Sequence, residues 1–374
     1  MTDGGRDTVA AAVAAAFPGR TVAERVDVSR GNTKRTAVVR FVGGDGPRSV
    51  VIQTAADGDA LRTEAAVGRS IRARTDVPVP AVLDGGALGS DGHGYLVTEH
   101  VAGDDLHGAF VGLSPERRLG VARTFGSALA QVHGSFAFEA FGEVGVRVDD
   151  DGSRDAADRR TPRGDAGEWH AVLDPADPGS SLRVRRPGFG RATEDGPSDR
   201  SPESGSAGVE RWNEWFRGYA LAGIDALPSA FDAVRPRLRE AVADAAGSLP
   251  DAPRPRLYPW DLRPGNALVA DGRVAAVLDW GRPLAADPGL SVAKAEHLVC
   301  DWYVDDGDPL REAFRAGYRE VRPPPRVPDV YRAVAVVRSA VDGAGVVTRP
   351  RYPEVDGAEA VAFHLDRIRT ALDG

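Results

Sequence analysis

At 374 residues the chain is long enough to bury a large core, divided into two lobes or domains. A formal net charge of −8 argues against a nucleic-acid-binding surface. No run approaches the roughly 18 apolar residues of a membrane span, and the single cysteine, Cys300, excludes an internal disulfide framework and fits a cytoplasmic setting. Among the basic residues only Lys34 and Lys294 are lysines; all others are arginine.

The first segment, Val9 to Phe17, is Ala-rich and lacks the basic start of a signal peptide, so it reads as a short helix ending near Pro18-Gly19. Thr21 to Ile52 reads as strands, with Ala37–Phe41 and Ser49–Ile52 flanking the turn Gly43–Pro47 as a hairpin. Ahead of that hairpin lies the short loop Ser29-Arg-Gly-Asn-Thr-Lys34, for which an ordinary tight turn is one reading. Asp59 to Arg74 is helical in pattern, with Leu61, Glu64, Gly68 and Ile71 on one stripe. Glu64 therefore faces inward, where a carboxylate needs a cationic or hydrogen-bonding partner. Val77-Pro-Val-Pro80 ends this helix. Strands are expected near Ala81–Leu83 and at Gly94–Thr98, the second running into Glu99-His-Val101.

Ser114 and Pro115 suit the N-cap and first position of a helix that continues to about Gly134. Its buried face is Leu119, Ala122, Phe125, Leu129 and Val132, with His133 as a capping or packing residue. Residues 143–208 are rich in Asp, Arg, Gly, Ser and Pro and read as a flexible insertion. Within it Trp169 and Ala171-Val-Leu173 hint at an ordered patch. Helices are expected at 209–227 and 230–249, from Asp287-Pro288 through Tyr303, and near 308–319, 328–343 and 356–372.

The most informative stretch is Tyr258-Pro-Trp-Asp-Leu-Arg-Pro-Gly-Asn266, followed by Val277-Leu-Asp-Trp280. Between them, Asp271-Gly272 is flanked by apolar runs, which signals a two-residue hairpin turn. With that turn Ala270 pairs with Arg273 and Asn266 faces Val277. Alternation then puts Asp279 on the same face as Asn266, about 7 Å away on the diagonal. An amide oxygen and a carboxylate so placed suit a hard cation such as Mg2+. Asp261 lies five residues before Asn266, across a Pro-Gly bend.

Asp-x-x-x-x-Asn followed by a hairpin and an Asp resembles the catalytic loop and metal-binding Asp of protein-kinase-like folds. The wording Asp-Leu-Arg-Pro-Gly-Asn followed by Leu-Asp-Trp is most similar to the aminoglycoside phosphotransferase superfamily. The resemblance implies an α+β, protein-kinase-like two-lobed fold. A small antiparallel β-sheet lobe with one main helix, residues 1–100, would bind nucleotide. A larger, mostly helical lobe, residues 101–374, would carry catalysis and substrate, with the insertion at 143–208. The implied function is transfer of the γ-phosphate of ATP or GTP, with Mg2+, to a hydroxyl of a small molecule. Aminoglycosides, choline, amino alcohols and sugars are all acceptors within the superfamily. Neither a nucleic-acid nor a membrane partner is expected.

By the same resemblance, Asp261 orients the acceptor hydroxyl and accepts its proton, while Asn266 and Asp279 hold Mg2+. Ser29, Gly31, Asn32 and Thr33 belong to the phosphate-covering loop, and Glu99 to Val101 form the hinge that meets the base. Two positions depart from the family pattern. The His expected two residues before Asp261 is Pro259, and the strand that should carry the phosphate-binding lysine ends Val51-Ile-Gln53. Gln53 is neutral and cannot pair with Glu64. Lys34, or Arg35 or Arg40, can supply the missing cation, and Arg263 stands where kinases place a phosphate-contacting lysine. The alternative reading is a nucleotide-binding pseudokinase with a regulatory or scaffold role.

Overall fold

The computed structural model describes residues 7–28, 34–89, 92–146, 182–186, 211–247 and 249–373. It divides into two compact units. The first holds residues 1–106, 144–183 and 266–283; the second holds 107–143, 184–265 and 284–374. The hairpin around Asp271-Gly272 thus folds with the N-terminal strands rather than with the helices around it in sequence.

In the first unit, α1 (Thr8–Ala16) starts at Asp7, whose carboxylate accepts from Ala10 N. Then come β1 (Val22–Val28), β2 (Arg35–Phe41), β3 (Ser49–Ala55), α2 (Gly58–Arg74), β4 (Val82–Ala87) and β5 (Gly94–Glu99). The strands form one antiparallel sheet in the order β1-β2-β3-β5-β4. Alternation gives the sheet two faces of different character. Ala37, Val39, Val50, Ile52 and Val97 pack beneath Val9, Ala12 and Val13 of α1. The opposite face carries Val26 and Val28, 49% and 41% exposed, level with Val38 and Thr36 and, one strand on, with Val51 and Gln53. That face is apolar and uncovered around Val26 and Val28.

A second small sheet pairs β10 (Ala267–Ala270) with β11 (Arg273–Val277) and with β6 (Asp104–Asp105). The turn is as expected: Asp271 and Gly272 have φ of 53° and 75°, the pair of positive angles a two-residue hairpin demands. The register is not as expected. Ala270 faces Arg273 and Val269 faces Val274, but Leu268 faces Ala276 and Ala267 faces Val277. One extra residue in β11, a β-bulge, shifts the pairing. Asn266 therefore lies level with Leu278, whose N–H donates to its carbonyl at 2.8 Å. Simple alternation does not place Asp279, which lies beyond the strand.

Of the expected insertion, only the parts in β7 (Gly142–Val146) and β8 (Leu182–Arg186) are described. Trp169 and Ala171–Leu173 lie outside the described residues. In the second unit, β12 (Leu284–Ala286) pairs antiparallel with β7 and with β9 (Arg256–Tyr258). A short helix that the sequence reading did not include, α3 (Leu106–Ala109), comes first; the expected helices follow in order as α4 (Pro115–Ser135), α5 (Trp212–Ala226), α6 (Arg235–Asp244), α7 (Pro288–Glu296), α8 (Asp308–Val321), α9 (Asp329–Val337) and α10 (Gly357–Asp373). Ser114 caps α4 by accepting from Arg117 N. Gly126 of α4 lies against the Phe314 carbonyl and Gly317 of α8 against that of Arg123, so the two helices touch backbone to backbone. The helix expected from Pro288 to Tyr303 is α-helical only to Glu296 and continues as a π turn over His297–Asp301. There the buried Glu296 accepts from Arg315 and Arg332, both at 2.7 Å.

His133 is fully buried between Tyr318 Oη at 2.8 Å and Ser291 Oγ at 3.1 Å. Burial, with the charges of Arg322 and Arg256, holds its pKa well below 6.5. Burial also lowers His364, to about 4, against a smaller opposing hydrogen bond with Thr348. Both rings are neutral in the fold, whereas the unfolded chain takes up protons near pH 6.5. Their contribution is therefore complete above that pH and declines as pH falls through the window toward 4. At about 1.4 kcal/mol per unit, His364 alone accounts for about 3 kcal/mol across it. Urea unfolding at successive pH values is expected to show this decline, and His364→Gln is expected to flatten it. An equal slope in both proteins would contradict the assignment.

Candidate active site

Glu64 is brought inward by α2, which Asp57 caps and which buries Leu61, Glu64, Gly68 and Ile71 on one side. Its partner is Lys34. That residue stands just before β2, where Arg35 faces Thr54 and Thr36 faces Gln53. Alternation puts Lys34 on the Gln53 face of the sheet, so a lysine at the entry to β2 reaches the space a β3 cation would fill. The Lys34 ammonium donates to Glu64 Oε2 in a very short contact and to Asp279 Oδ1 at 2.7 Å. Glu64 keeps 8% side-chain exposure, Lys34 19% and Asp279 46%. Burial alone would lower the ammonium pKa, but Glu64 and Asp279 together outweigh it, and Lys34 remains charged.

Three contacts carry Asp279 to this point. Val277 N donates to Pro78 O at 2.7 Å, and Leu278 N donates to Asn266 O. The Trp280 indole turns back to Val277 O at 3.0 Å and is buried. Between these anchors Asp279 takes φ 58°, a left-handed conformation that aspartate tolerates better than most residues. The carboxylate is thereby swung out of the strand direction toward Lys34. A carboxylate oxygen at 279 and an amide oxygen at 266 are the hard donors that Mg2+ prefers, and the residues present fit such an ion.

In the second unit, Asp261 follows β9. Arg263 Nε lies 3.0 Å from Asp261 Oδ2, and its guanidinium sits over the Trp302 ring at 5.7 Å. Tyr303, at the end of the π turn, meets His107 Nδ1 at 2.7 Å. A Cβ at Gly265 would come within 3.2 Å of the Tyr303 hydroxyl, so this glycine lets the loop pass close. Pro259 is buried between Tyr258, also buried, and the half-buried Trp260.

The structure thus joins Lys34, Glu64 and Asp279 directly, ties Asn266 to the same hairpin, and pairs Asp261 with Arg263. Gln53 lies on the Lys34 face of the sheet. Glu99 ends β5 and its Oε2 accepts from Ala81 N at 3.1 Å, with Val101 two residues on. Ser29, Gly31, Asn32 and Thr33 lie outside the described residues. Arg40 pairs with Glu24 at 2.6 Å on the surface, and Arg35 is exposed, so neither shares the Glu64 contact. The direct Lys34–Asp279 contact escaped the sequence reading. It depends on a bulge and a positive φ that no residue type announces.

The chain matches the model of the phosphotransferase enzyme family (APH) over residues 28–333 and belongs to that family. Among solved structures it is similar to aminoglycoside phosphotransferase APH(4)-Ia, with a TM-score of 0.57, 16% identity and 98% of each chain covered. A thermostable mutant of that enzyme, in ternary complex with AMP-PNP and hygromycin B, gives the same TM-score and identity over 94% of each chain. The GDP and kanamycin complex of APH(2")-IIia gives a TM-score of 0.54 at 12% identity, with 98% of each chain covered. These likenesses show the fold, an antiparallel sheet lobe and a helical lobe of the kinase-like kind, as the sequence motifs implied. No curated protein matches the chain in sequence.

Removing one partner of a largely buried ion pair strands the other. Lys34→Met is expected to destabilise the protein by about 2–3 kcal/mol, near the low end for buried pairs because Lys34 keeps some exposure. Adding Glu64→Gln is expected to recover most of that loss, the coupling expected of a direct contact. Urea titration of the single and double variants measures it; additive losses would show that the pair is not coupled.

Proposed function

We propose that this protein is a nucleotide-dependent phosphotransferase that moves the γ-phosphoryl group of ATP or GTP to a hydroxyl of a small molecule. The observation that carries the reading is the Lys34 ammonium held between Glu64 and Asp279. Phosphoryl transfer needs positioning and positive charge more than covalent help from the protein. Lys34 supplies a cation, and Glu64 fixes its direction. Asn266 and Asp279 would hold Mg2+, which when bound neutralises charge on the phosphates. Asp261 orients the acceptor hydroxyl and takes its proton, with Arg263 beside it to bind phosphate oxygens. The uncovered sheet face at Val26, Val28, Val38 and Val51 offers an apolar roof for the base, whose edge would meet the backbone from Glu99 to Val101. The loop Ser29–Thr33 would cover the phosphates. Related structures bound to AMP-PNP and to GDP support the use of a nucleotide and leave either base open.

The pseudokinase reading rests on the neutral Gln53 and on Pro259. Lys34 answers the first, because a cation reaches Glu64 from the neighbouring strand. The burial of Pro259 supports the view that rigidity takes the place of the family's histidine.

The two aspartates separate binding from chemistry. Asp279→Ala is expected to abolish Mg-dependent nucleotide binding, read by calorimetry with and without EDTA. Asp261→Asn is expected to leave nucleotide affinity within a few-fold while removing phosphotransfer. Unchanged binding in the first variant, or wild-type turnover in the second, would contradict the assignment of that residue.

A further inference from the structure

Beside Asp261 the second unit builds a cluster whose charge is opposite to what a polycationic acceptor requires. Trp260, next to Asp261 in sequence, is half-buried. Lys294 Nζ lies 3.8 Å from the centre of its ring, and the Arg338 guanidinium lies 5.0 Å away. Arg338 also covers the Tyr219 ring at 4.4 Å. Lys294 is 3% exposed and donates to Arg338 O at 3.2 Å, so the two cations are held together. Arg263 is paired with Asp261, and the other two cations lie on the ring of the residue next to it.

The arrangement is built rather than incidental. Gly223 of α5 faces the Arg338 stem, and a Cβ there would meet Arg338 Cδ at 2.5 Å. A larger residue there would force the arginine stem to shift from its path to the two rings. Arg338 Nε is buried with no hydrogen-bond partner, and among the described residues no carboxylate pairs with this guanidinium. Arg338 itself is half-buried rather than fully enclosed. Its planar guanidinium, set beside two aromatic rings, has the fork geometry that binds carboxylate or phosphate oxygens bidentately. The buried Tyr258 hydroxyl feels the charges of both Arg338 and Asp261, which places both within electrostatic reach of one atom.

We infer that the acceptor is an anionic alcohol. Its hydroxyl meets Asp261 while a carboxylate or phosphate on the same molecule is held by Arg338, with Lys294 adding charge. This inference rests on the phosphotransferase reading and deepens it. Acceptors such as hygromycin B and kanamycin, bound in the related structures, carry amino groups that these cations would repel.

A matched series tests it: glycerate, glycerol 3-phosphate, glycerol and 3-amino-1,2-propanediol, titrated calorimetrically into the full-length protein. At least one of the two anions is expected to bind about tenfold or more tightly than glycerol or the amine, the scale of one charged contact. Comparison of the two anions tells carboxylate from phosphate. Arg338→Gln is expected to erase the preference and Arg338→Lys to retain part of it. Preference for the amine or for glycerol, or failure of both anions to bind at millimolar concentration, would overturn the inference, as would a preference that survives Arg338→Gln. Should the variants fail to fold, the wild-type series alone decides. MgATP titrated in parallel distinguishes two failures. A protein that binds MgATP or MgGTP but prefers the amine loses only the anionic acceptor, whereas one that binds neither nucleotide, MgGTP being titrated alongside, loses the phosphotransferase reading and this inference with it.

Discussion

One ammonium group organises the first unit. Lys34 lies between two carboxylates, one brought by a helix and one by a hairpin distant in sequence. Glu64 faces inward because the helical stripe leaves it no other side, and a buried carboxylate needs a partner. Asp279, at a positive φ and half-exposed, meets the same ammonium at 2.7 Å. A single charge satisfies both. It also ties α2, the entry to β2 and the metal-type aspartate into one cluster, so a rearrangement of any one of them disturbs the other two.

The hairpin that delivers Asp279 depends on small departures from regular geometry. A bulge at β11 shifts the pairing by one residue and sets Leu278 opposite Asn266. Trp280 and the Pro78 carbonyl then pin the strand end on both sides of the aspartate. In the second unit, the π turn after α7 does comparable work, setting Trp302 against Arg263 and Tyr303 against Gly265. Bulges, left-handed residues and π turns concentrate near functional groups because they re-aim side chains that regular elements cannot.

Much of this was legible in the residues. The N-terminal strands and the long helices followed from periodicity, the Asp271-Gly272 turn from its chemistry, and the inward Glu64 from its neighbours on the helix, whereas the short strands β6, β7, β8, β9 and β12 carry too few residues to show a period. That a cation other than residue 53 would meet Glu64 was expected from the neutral Gln53, with Lys34, Arg35 and Arg40 all open, and the structure sets Lys34 there. The contact between Lys34 and Asp279 was not expected, because hairpin alternation put Asp279 in register with Asn266 and the bulge broke that register. The cluster of Trp260, Lys294, Arg338 and Tyr219 was equally hidden. Its members come from four separate segments, and its key permissive residue, Gly223, is a glycine within a helix whose purpose appears only when Arg338 is seen beside it.

The central claim is that one positive charge, relocated to the neighbouring strand, does for the phosphates what a β3 lysine does elsewhere in the fold. Moving the charge tests it directly, by measuring MgATP affinity in Lys34→Ala and in Lys34→Ala combined with Gln53→Lys. The account predicts that the first variant loses more than about tenfold in affinity, equivalent to about 1.4 kcal/mol or more. It predicts that the second variant regains most of it, because Gln53 lies on the same face of the sheet as Lys34. Wild-type affinity in Lys34→Ala, or no recovery when lysine is placed at position 53, would contradict it.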